Sequence, residues 1–192
     1  MENFNQIIEK LGLESQITLE EIPQIDLYMD QVIQLFENKF SSSRRNEDEK
    51  ILTKTMINNY AKGKLFIPIK NKKYSKEHLI LISLIYQLKG ALSISDIKET
   101  LSTVNEKITD DDFELERFYN SFLHIASKNV TSFKADVESK AIAVKNEVEK
   151  LEDWNSKDLE NILMISSLVN MSNFYKRAAE KLVDEIVKEQ KN

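Results

Sequence analysis

Residues 50–76 read KILTKTMINNYAKGKLFIPIKNKKYSK, and they decide how the rest of the chain is interpreted. The stretch contains eight lysines and no acidic residue, and because the whole chain has a net charge of −5, the other residues together carry −13. Gly63 and Pro68 interrupt it, and apolar residues alternate with others from Leu65 to Ile69. This pattern predicts a short helix followed by a small basic β-hairpin. Such a concentration of one charge sign is typical of a surface that binds nucleic acid.

The composition bounds the class of protein. Of 192 residues, 41% are hydrophobic and 31% charged, enough to bury the core of one sizeable domain or two small ones. With only three glycines and two prolines, long helices joined by short connections are expected, so the predicted class is mostly α. The chain has no cysteine, which excludes disulfides and thiolate chemistry. No signal peptide or long apolar run is found, so we expect a cytoplasmic protein without a membrane partner.

Apolar residues at steps of three and four predict helices in the first half of the chain. An amphipathic N-terminal helix is expected within residues 1–16, and a stronger helix from about Asp26 to Phe40. The polar segment Ser41–Glu49 has no periodicity and is predicted to be a loop. Beyond it, three hydroxyl residues are predicted to cap helices: Thr53, Ser75 and Ser93.

The second half has a longer pattern. From residue 111 a sustained apolar stripe predicts either one helix of about 60 Å or a helix broken near Asn129 and Thr131. A turn and a last helix follow, so residues 111–192 are predicted to form an antiparallel helical hairpin used for dimerisation or signal input. A hairpin with this much apolar surface must pack on another copy or on the first half of the chain.

The helix predicted after Thr53 has a composition suited to a DNA groove. Its apolar face would hold it to the core, and its outer face carries the residues we expect to read bases: Lys54, Thr55, Asn58 and Asn59. Asparagine can form two hydrogen bonds with adenine, whereas lysine meets guanine acceptors or phosphates. A solvated surface helix explains the same pattern, since a polar outer face is the default for such helices.

The order of residues 57–101 resembles the MerR-like winged helix. That pattern has a helix ending in Tyr, a Gly-Leu-x-Pro entry to a basic wing, a Tyr-Ser-x-Glu-x-Leu helix start and a final Gly-x-Ser-x-x-x-Ile segment. The matching positions are Tyr60, Gly63, Leu65, Pro68, Lys72, Lys73, Tyr74, Ser75, Glu77, Leu79, Gly90, Ser93 and Ile97. The resemblance implies a winged helix-turn-helix with a small β wing.

A closer resemblance is to the bacterial family catalogued as domain of unknown function 1836. It rests on ITLEEIPQIDLYMDQV, LTKTMINNY and KKYSKEHLILI, and it covers roughly residues 17–105. It implies a DNA-binding unit over that range. The residues then expected to contact DNA phosphates are Lys62, Lys64, Lys70, Lys72, Lys73, Tyr74 and Lys76.

Two features depart from the MerR pattern. Asn58 and Lys72 stand where relatives usually have arginine, so phosphates would be held by point charges instead of forked guanidinium groups. The loop Ser41–Glu49 has nine residues, where a helix-turn-helix usually has about three or four. Arg44 and Arg45 in this loop could add phosphate contacts, which the neighbouring carboxylates would oppose: Glu47, Asp48 and Glu49.

The predicted function is a sequence-specific transcriptional regulator that binds double-stranded DNA as a homodimer paired through its C-terminal helices. The alternative is a protein-interaction adaptor that has lost DNA binding and docks a partner with the same elements. An enzyme is not predicted, because no catalytic constellation is present. His78 and His124 lack ligand partners at suitable spacing, so neither a metal nor a cofactor is expected.

Overall fold

The protein was analysed as a computed structural model, which describes residues 4–108, 113–151 and 156–190. The predicted mostly helical class with long C-terminal helices is confirmed. In chain order the elements are α1 (Phe4–Glu9), β1 (Leu27–Tyr28), α2 (Met29–Phe40), a 3₁₀ turn (Ser41–Ser43), α3 (Lys54–Lys62), β2 (Lys73–Tyr74), α4 (Lys76–Leu88), α5 (Ile94–Lys107), α6 (Leu115–Glu149) and α7 (Ser156–Glu189).

Local hydrogen bonds fix where the central helices begin. The Thr53 hydroxyl accepts a hydrogen bond of 3.1 Å from the Met56 backbone N–H, as expected for an N-cap. At the start of α5, Ser93 and Asp96 each accept from the other's backbone N–H at 3.1 Å, forming a capping box. The predicted caps at Thr53 and Ser93 are therefore confirmed.

The main core is built around α4, in which every residue from His78 to Ile85 is buried. Helix α2 contributes Val32, Phe36 and Phe40, and α3 contributes Ile57 and Tyr60. Because α2 and α3 both pack in this core and contact each other, the outer face of α3 is held on a rigid support.

The segment between α2 and α3 is anchored to the core despite its polar sequence. Ile51 and Leu52 are buried, and the Ile51 backbone N–H donates to Glu37 at 3.3 Å. The Arg44 guanidinium also forms an ion pair with Glu37. From α4, the Lys89 ammonium donates to the Ile51 carbonyl oxygen at 2.9 Å. These contacts anchor the long connection between α2 and α3 to α2 and α4.

A small antiparallel sheet joins β1 to β2, with Leu27 paired to Tyr74 and Tyr28 to Lys73. The helix was predicted to begin near Asp26, but α2 begins at Met29. The two residues before it, Leu27 and Tyr28, form β1 and pair with β2. The predicted hairpin is reduced to one isolated bridge between Lys70 and Lys73.

The turn inside that bridge is tight. Asn71 and Lys72 have φ values of 53° and 58°, and the Lys73 backbone N–H donates to the Lys70 carbonyl oxygen at 3.0 Å. Two central residues with positive φ define the type I′ turn that suits the twist of an antiparallel pair. We call residues 70–73 the basic turn.

Helices α6 and α7 form the predicted antiparallel hairpin. Helix α6 is continuous through Asn129 and Thr131, so the alternative of a break there is excluded. Its 35 residues span about 52 Å. The base of the hairpin, with Leu115 of α6 and Val183 of α7, lies in the main core.

The distal part of the hairpin packs separately. Ile8 of α1 meets Val137 of α6 and Met164 of α7 in a second buried cluster. The hairpin thus packs on the first half of the chain at its base and on the N-terminal helix farther out. Among the helices that the structure describes, none combines the length and apolar character needed to cross a bilayer.

Candidate nucleic-acid interface

The outer face of α3 is open to solvent. The four residues predicted to read bases are all exposed: Lys54, Thr55, Asn58 and Asn59. Ile57 and Tyr60 are buried on the opposite side, so the predicted orientation of this helix is correct. Lys62 and Lys64, at and just beyond the end of α3, are also exposed.

The basic turn projects a second exposed group of charges. Lys70 and Lys72 are exposed, while Lys73 is half-buried. The Lys73 ammonium lies 5.4 Å from the centroid of the Tyr28 ring, a cation–π contact between β2 and β1. This contact keeps one ammonium group on the β1 side of the turn.

A groove of about 460 Å³ connects the two groups. Its lining residues come from β1, α2, α3, the basic turn, the residue just before that turn, and β2: Tyr28, Met29, Asp30, Asn58, Ile69, Lys72 and Tyr74. Asn58 of α3 and Lys72 of the turn therefore face one space, although fourteen positions separate them in sequence. We call the surface formed by the outer face of α3, the basic turn and this groove the basic face.

Sequence reasoning missed two residues of the basic face. Asp30 places a carboxylate on it and forms an ion pair of 2.7 Å with Lys54, both side chains being exposed. Tyr28 lines the groove with an exposed ring. Neither was recognisable in advance, since both reach the face through the pairing of β1 with β2, which no local pattern predicts.

Two predicted phosphate ligands have other roles. Tyr74 is 2% exposed and packs edge-on against Phe66 and His78, so it forms the floor of the groove instead of reaching toward a ligand. The Lys76 side chain is 18% exposed, and its ammonium forms an ion pair of 2.8 Å with Glu116 at the start of α6. Of the loop arginines, Arg44 is paired with Glu37, and Arg45 is exposed.

His78 supports the basic turn from inside. Its Nδ1 accepts a hydrogen bond of 3.1 Å from the Ser75 backbone N–H, so this nitrogen carries no proton. Nε2 then holds the proton and donates to the Ile67 carbonyl oxygen at 3.1 Å. Burial lowers the pKa of His78, which keeps the ring neutral in this arrangement. One side chain thereby links the start of α4 to the strand-like segment that enters the turn.

The described residues offer no metal centre. Within residues 4–108, 113–151 and 156–190, no cluster of three or more His, Asp or Glu side chains could hold an ion. The chemistry available at the basic face is charge attraction and hydrogen bonding by ammonium and carboxamide groups.

The fold and this face define a mostly helical protein that presents an exposed helix beside a basic turn. Residues 17–122 match the family described as Domain of unknown function (DUF1836), which is more than half of the chain, so the protein belongs to this family. No curated protein and no solved structure is significantly similar to it. The match continues beyond residue 105, where the predicted unit ended, and includes Leu115 and Tyr119, whose side chains lie in the main core.

Proposed function

We propose that the protein is a sequence-specific DNA-binding transcriptional regulator of the MerR-like winged-helix type. In this proposal α3 enters the major groove and the basic turn, acting as the wing, contacts phosphates. The observation that carries it is the shared groove of Asn58 and Lys72, which places a carboxamide side chain and an ammonium side chain on one exposed face. Phosphates and base edges are adjacent in duplex DNA in the same way.

Each group on the basic face has a distinct role in this proposal. Asn58 and Asn59 read base edges, because a carboxamide can donate to and accept from adenine at once. Lys70 and Lys72 bind phosphates, and their positions on a tight turn fix the spacing of two charges. The neutral ring of His78 holds Ile67, in the segment that leads into that turn, against α4.

The regulator would act as a cytoplasmic homodimer. One recognition helix reads only a few base pairs, whereas two related by a twofold axis read both halves of a palindromic site. The hairpin of α6 and α7 is the proposed dimerisation element, since it exposes apolar side chains.

A gel-shift series with genomic fragments of the source organism tests the proposal. We expect a subset of fragments to be retained at moderate salt, and affinity to fall steeply as salt rises, because bound lysines release counterions from DNA. The double variant Asn58→Ala, Asn59→Ala should still bind DNA at low salt but lose the preference for that subset. Equal retention of all fragments by the wild-type chain would contradict sequence-specific binding.

A protein-interaction adaptor is the second candidate. It is favoured by one observation: Lys54 is ion-paired with Asp30, so part of the basic face is already neutralised. Under this proposal the remaining lysines meet an acidic protein surface. Absence of DNA retention at low salt, together with an intact fold, would support the adaptor over the regulator.

A further inference from the structure

A second cavity lies between α5 and the segment that joins α3 to the basic turn. Its volume is about 580 Å³, which is in the range of small-molecule sites in proteins. Four consecutive residues form an apolar wall: Phe66, Ile67, Pro68 and Ile69. Among the described residues, Ile69 alone also lines the groove of the basic face. We call this space the α5 cavity, and all of its lining residues fall within positions 61–106 of the family domain.

The apolar wall of the α5 cavity is fixed by contacts within the core. Phe66 is 6% exposed, and its ring meets the rings of Tyr74 and His78 edge-on, at centroid distances of 6.3 Å and 5.8 Å. The Ile67 carbonyl oxygen accepts a hydrogen bond of 3.1 Å from His78 Nε2. Because these contacts already hold the wall, a ligand does not have to order it, and the cavity is preformed.

Asn105 of α5 lines the cavity and carries an unmatched hydrogen-bond acceptor. Its side-chain nitrogen donates to the backbone carbonyl oxygens of Leu65 and Leu101 at 2.9 Å and 3.1 Å, so the other terminal atom of the carboxamide is the oxygen. That atom, Oδ1, is buried and accepts no hydrogen bond from the described part of the chain. Buried acceptors are nearly always paired, so a ligand with an N–H or O–H would complete this residue.

Two lysines make the lining of the α5 cavity positive. Lys64 follows α3 and Lys98 belongs to α5, and both are exposed. The ion pairs within the described residues involve neither of them. Glu106 also lines the cavity and has an interaction partner of its own. Two positive charges and one negative charge leave a net charge of +1, which matches a ligand with a single negative charge.

Lys64 occupies a backbone position that glycine normally fills. The Leu65 backbone N–H donates to the Tyr60 carbonyl oxygen at 3.0 Å, and the N–H of Lys64 donates to the carbonyl oxygen of the third residue before it at 3.1 Å. These two bonds form the Schellman motif that ends a helix, and its left-handed residue is Lys64, with a φ of 56°. A side chain with a Cβ is unfavourable in this conformation, so the chain places an ammonium group at the cavity at a cost in stability.

We propose that the α5 cavity binds a small carboxylic acid that has an apolar ring and one N–H or O–H donor. The ring packs on the wall that contains Phe66 and Pro68, and the donor binds Asn105 Oδ1. The carboxylate lies near the ammonium groups of Lys64 and Lys98. A phosphate monoester is a poorer match, because its charge of about −2 exceeds the positive charge of the lining. The proposal goes beyond DNA binding and is tested without DNA, so the two can fail separately.

Calorimetric titration of the full-length chain with indoleacetate tests the ligand class. This probe has an apolar ring, an N–H donor and a carboxylate, and we expect saturable binding of one ligand per chain with a Kd below about 1 mM. Indoleacetamide lacks the charge and naphthaleneacetate lacks the donor, so each should bind about ten-fold more weakly. Absence of saturable binding of indoleacetate at that concentration, or equal affinity for the three probes, would overturn the proposal.

Lysine variants test the position of the carboxylate. Lys98→Gln and Lys64→Gly should each raise the Kd of indoleacetate about three-fold and leave the Kd of indoleacetamide unchanged. Glycine accepts the left-handed conformation, so the Lys64→Gly chain should be at least as stable as the wild type, and its loss of affinity is not a folding defect. Lys128→Gln, at an exposed residue of α6, is the matched control for net charge and should keep the wild-type affinity. Equal losses in all three variants would overturn the proposal.

Methyl NMR spectra of the full-length chain with isotope-labelled isoleucine locate the bound probe. Indoleacetate should shift the methyl signals of Ile67 and Ile69, which line the α5 cavity. The methyl signals of Ile142, which is 65% exposed on α6, should not move. Shifts confined to isoleucines outside the cavity would mean that the probe binds elsewhere and would overturn the proposal.

Discussion

The Tyr119 hydroxyl donates a hydrogen bond of 2.7 Å to the backbone carbonyl oxygen of Ile17, joining groups that are 102 positions apart in the chain. Tyr119 is fully buried, and its ring stacks on Phe122 at 5.9 Å. The first turns of α6 are therefore part of the main core, and the hairpin is held at a fixed place relative to the family domain. Both residues of this bond lie within the family match, which extends to residue 122.

Tyr119→Phe should lower the free energy of unfolding by about 1 kcal/mol, because it leaves the buried Ile17 carbonyl oxygen without a donor. Burial also raises the pKa of Tyr119 to about 12. The neutral phenol therefore contributes fully to the free energy of unfolding below about pH 10, which is the pKa of tyrosine in the unfolded chain. This contribution is lost as pH rises from there toward 12. Denaturant unfolding of both proteins at pH 8 and pH 10.5 measures the two effects. An unchanged midpoint in the variant would show that the bond adds nothing.

His78 should make stability fall in mild acid. Burial holds its folded pKa below the unfolded value of about 6.5, against the opposing carboxylates of Glu77 and Asp26. Above the unfolded pKa, the neutral ring contributes fully to the free energy of unfolding. This contribution is lost as pH falls from the unfolded pKa through the folded pKa, because protonated Nδ1 can no longer accept a hydrogen bond from the Ser75 backbone N–H.

The control for this effect is His78→Gln, which does not titrate and can still accept from the N-cap backbone N–H as in a capping box. Unfolding midpoints between pH 7.5 and pH 5 should decline more steeply for the wild type than for the variant. Parallel declines would assign the pH dependence to other groups.

Replacing Lys72 with glycine should raise the stability of the fold and weaken DNA binding. Its φ of 58° is costly for a side chain with a Cβ, and glycine follows asparagine readily in a type I′ turn. Lys72→Gly should stabilise the fold by about 0.5–1 kcal/mol, since relief of about 1–2 kcal/mol exceeds the entropic cost of glycine. It should also reduce the slope of log affinity against log salt by about 0.9, the effect of one lost phosphate contact.

Two lysine variants separate these effects. Lys72→Gln should reduce the salt slope without stabilising the fold. Lys76→Gln should leave the slope unchanged, because that ammonium is paired with Glu116. Fluorescence anisotropy over a salt series measures the salt slope of all three lysine variants. An equal loss of slope for positions 72 and 76 would contradict the proposal that the basic turn binds phosphates.

Asp30→Asn should tighten DNA binding. The substitution removes a carboxylate that repels phosphates on the basic face, and it releases Lys54 from its ion pair. The gain should be largest at low salt, where charge interactions are least screened. Glu138→Gln, at an exposed acidic residue of α6, is the matched control for net charge. Equal gains in the two variants would mean that only net charge matters.

Much of the local structure is predictable because short-range interactions create it. The caps at Thr53 and Ser93 involve partners three residues away, and the apolar spacing of α3 identifies its buried side without knowledge of the neighbours. The basic turn is recognisable for the same reason, as a polar cluster between apolar residues. In each case the hydrogen bonds or the helical period lie within one window of sequence.

The arrangement of side chains around the basic face, unlike the local structure, could not be predicted from the sequence. Tyr74 is buried, Lys76 is paired, and Asp30 lies beside Lys54, and each of these follows from contacts between segments far apart in the chain. Sequence periodicity gives the side of an element that is apolar, but it does not give the neighbour that covers a particular side chain.

The sequence by itself determined a mostly helical chain, the helix that exposes carboxamides, and the position of the lysine cluster beside it, because periodicity and charge are properties of the chain alone. Only the tertiary structure decided that β1 pairs with β2, that α6 runs unbroken past Asn129, and that Asn58 and Lys72 share one groove. Those features depend on packing between distant segments, whose free energy no single segment contains.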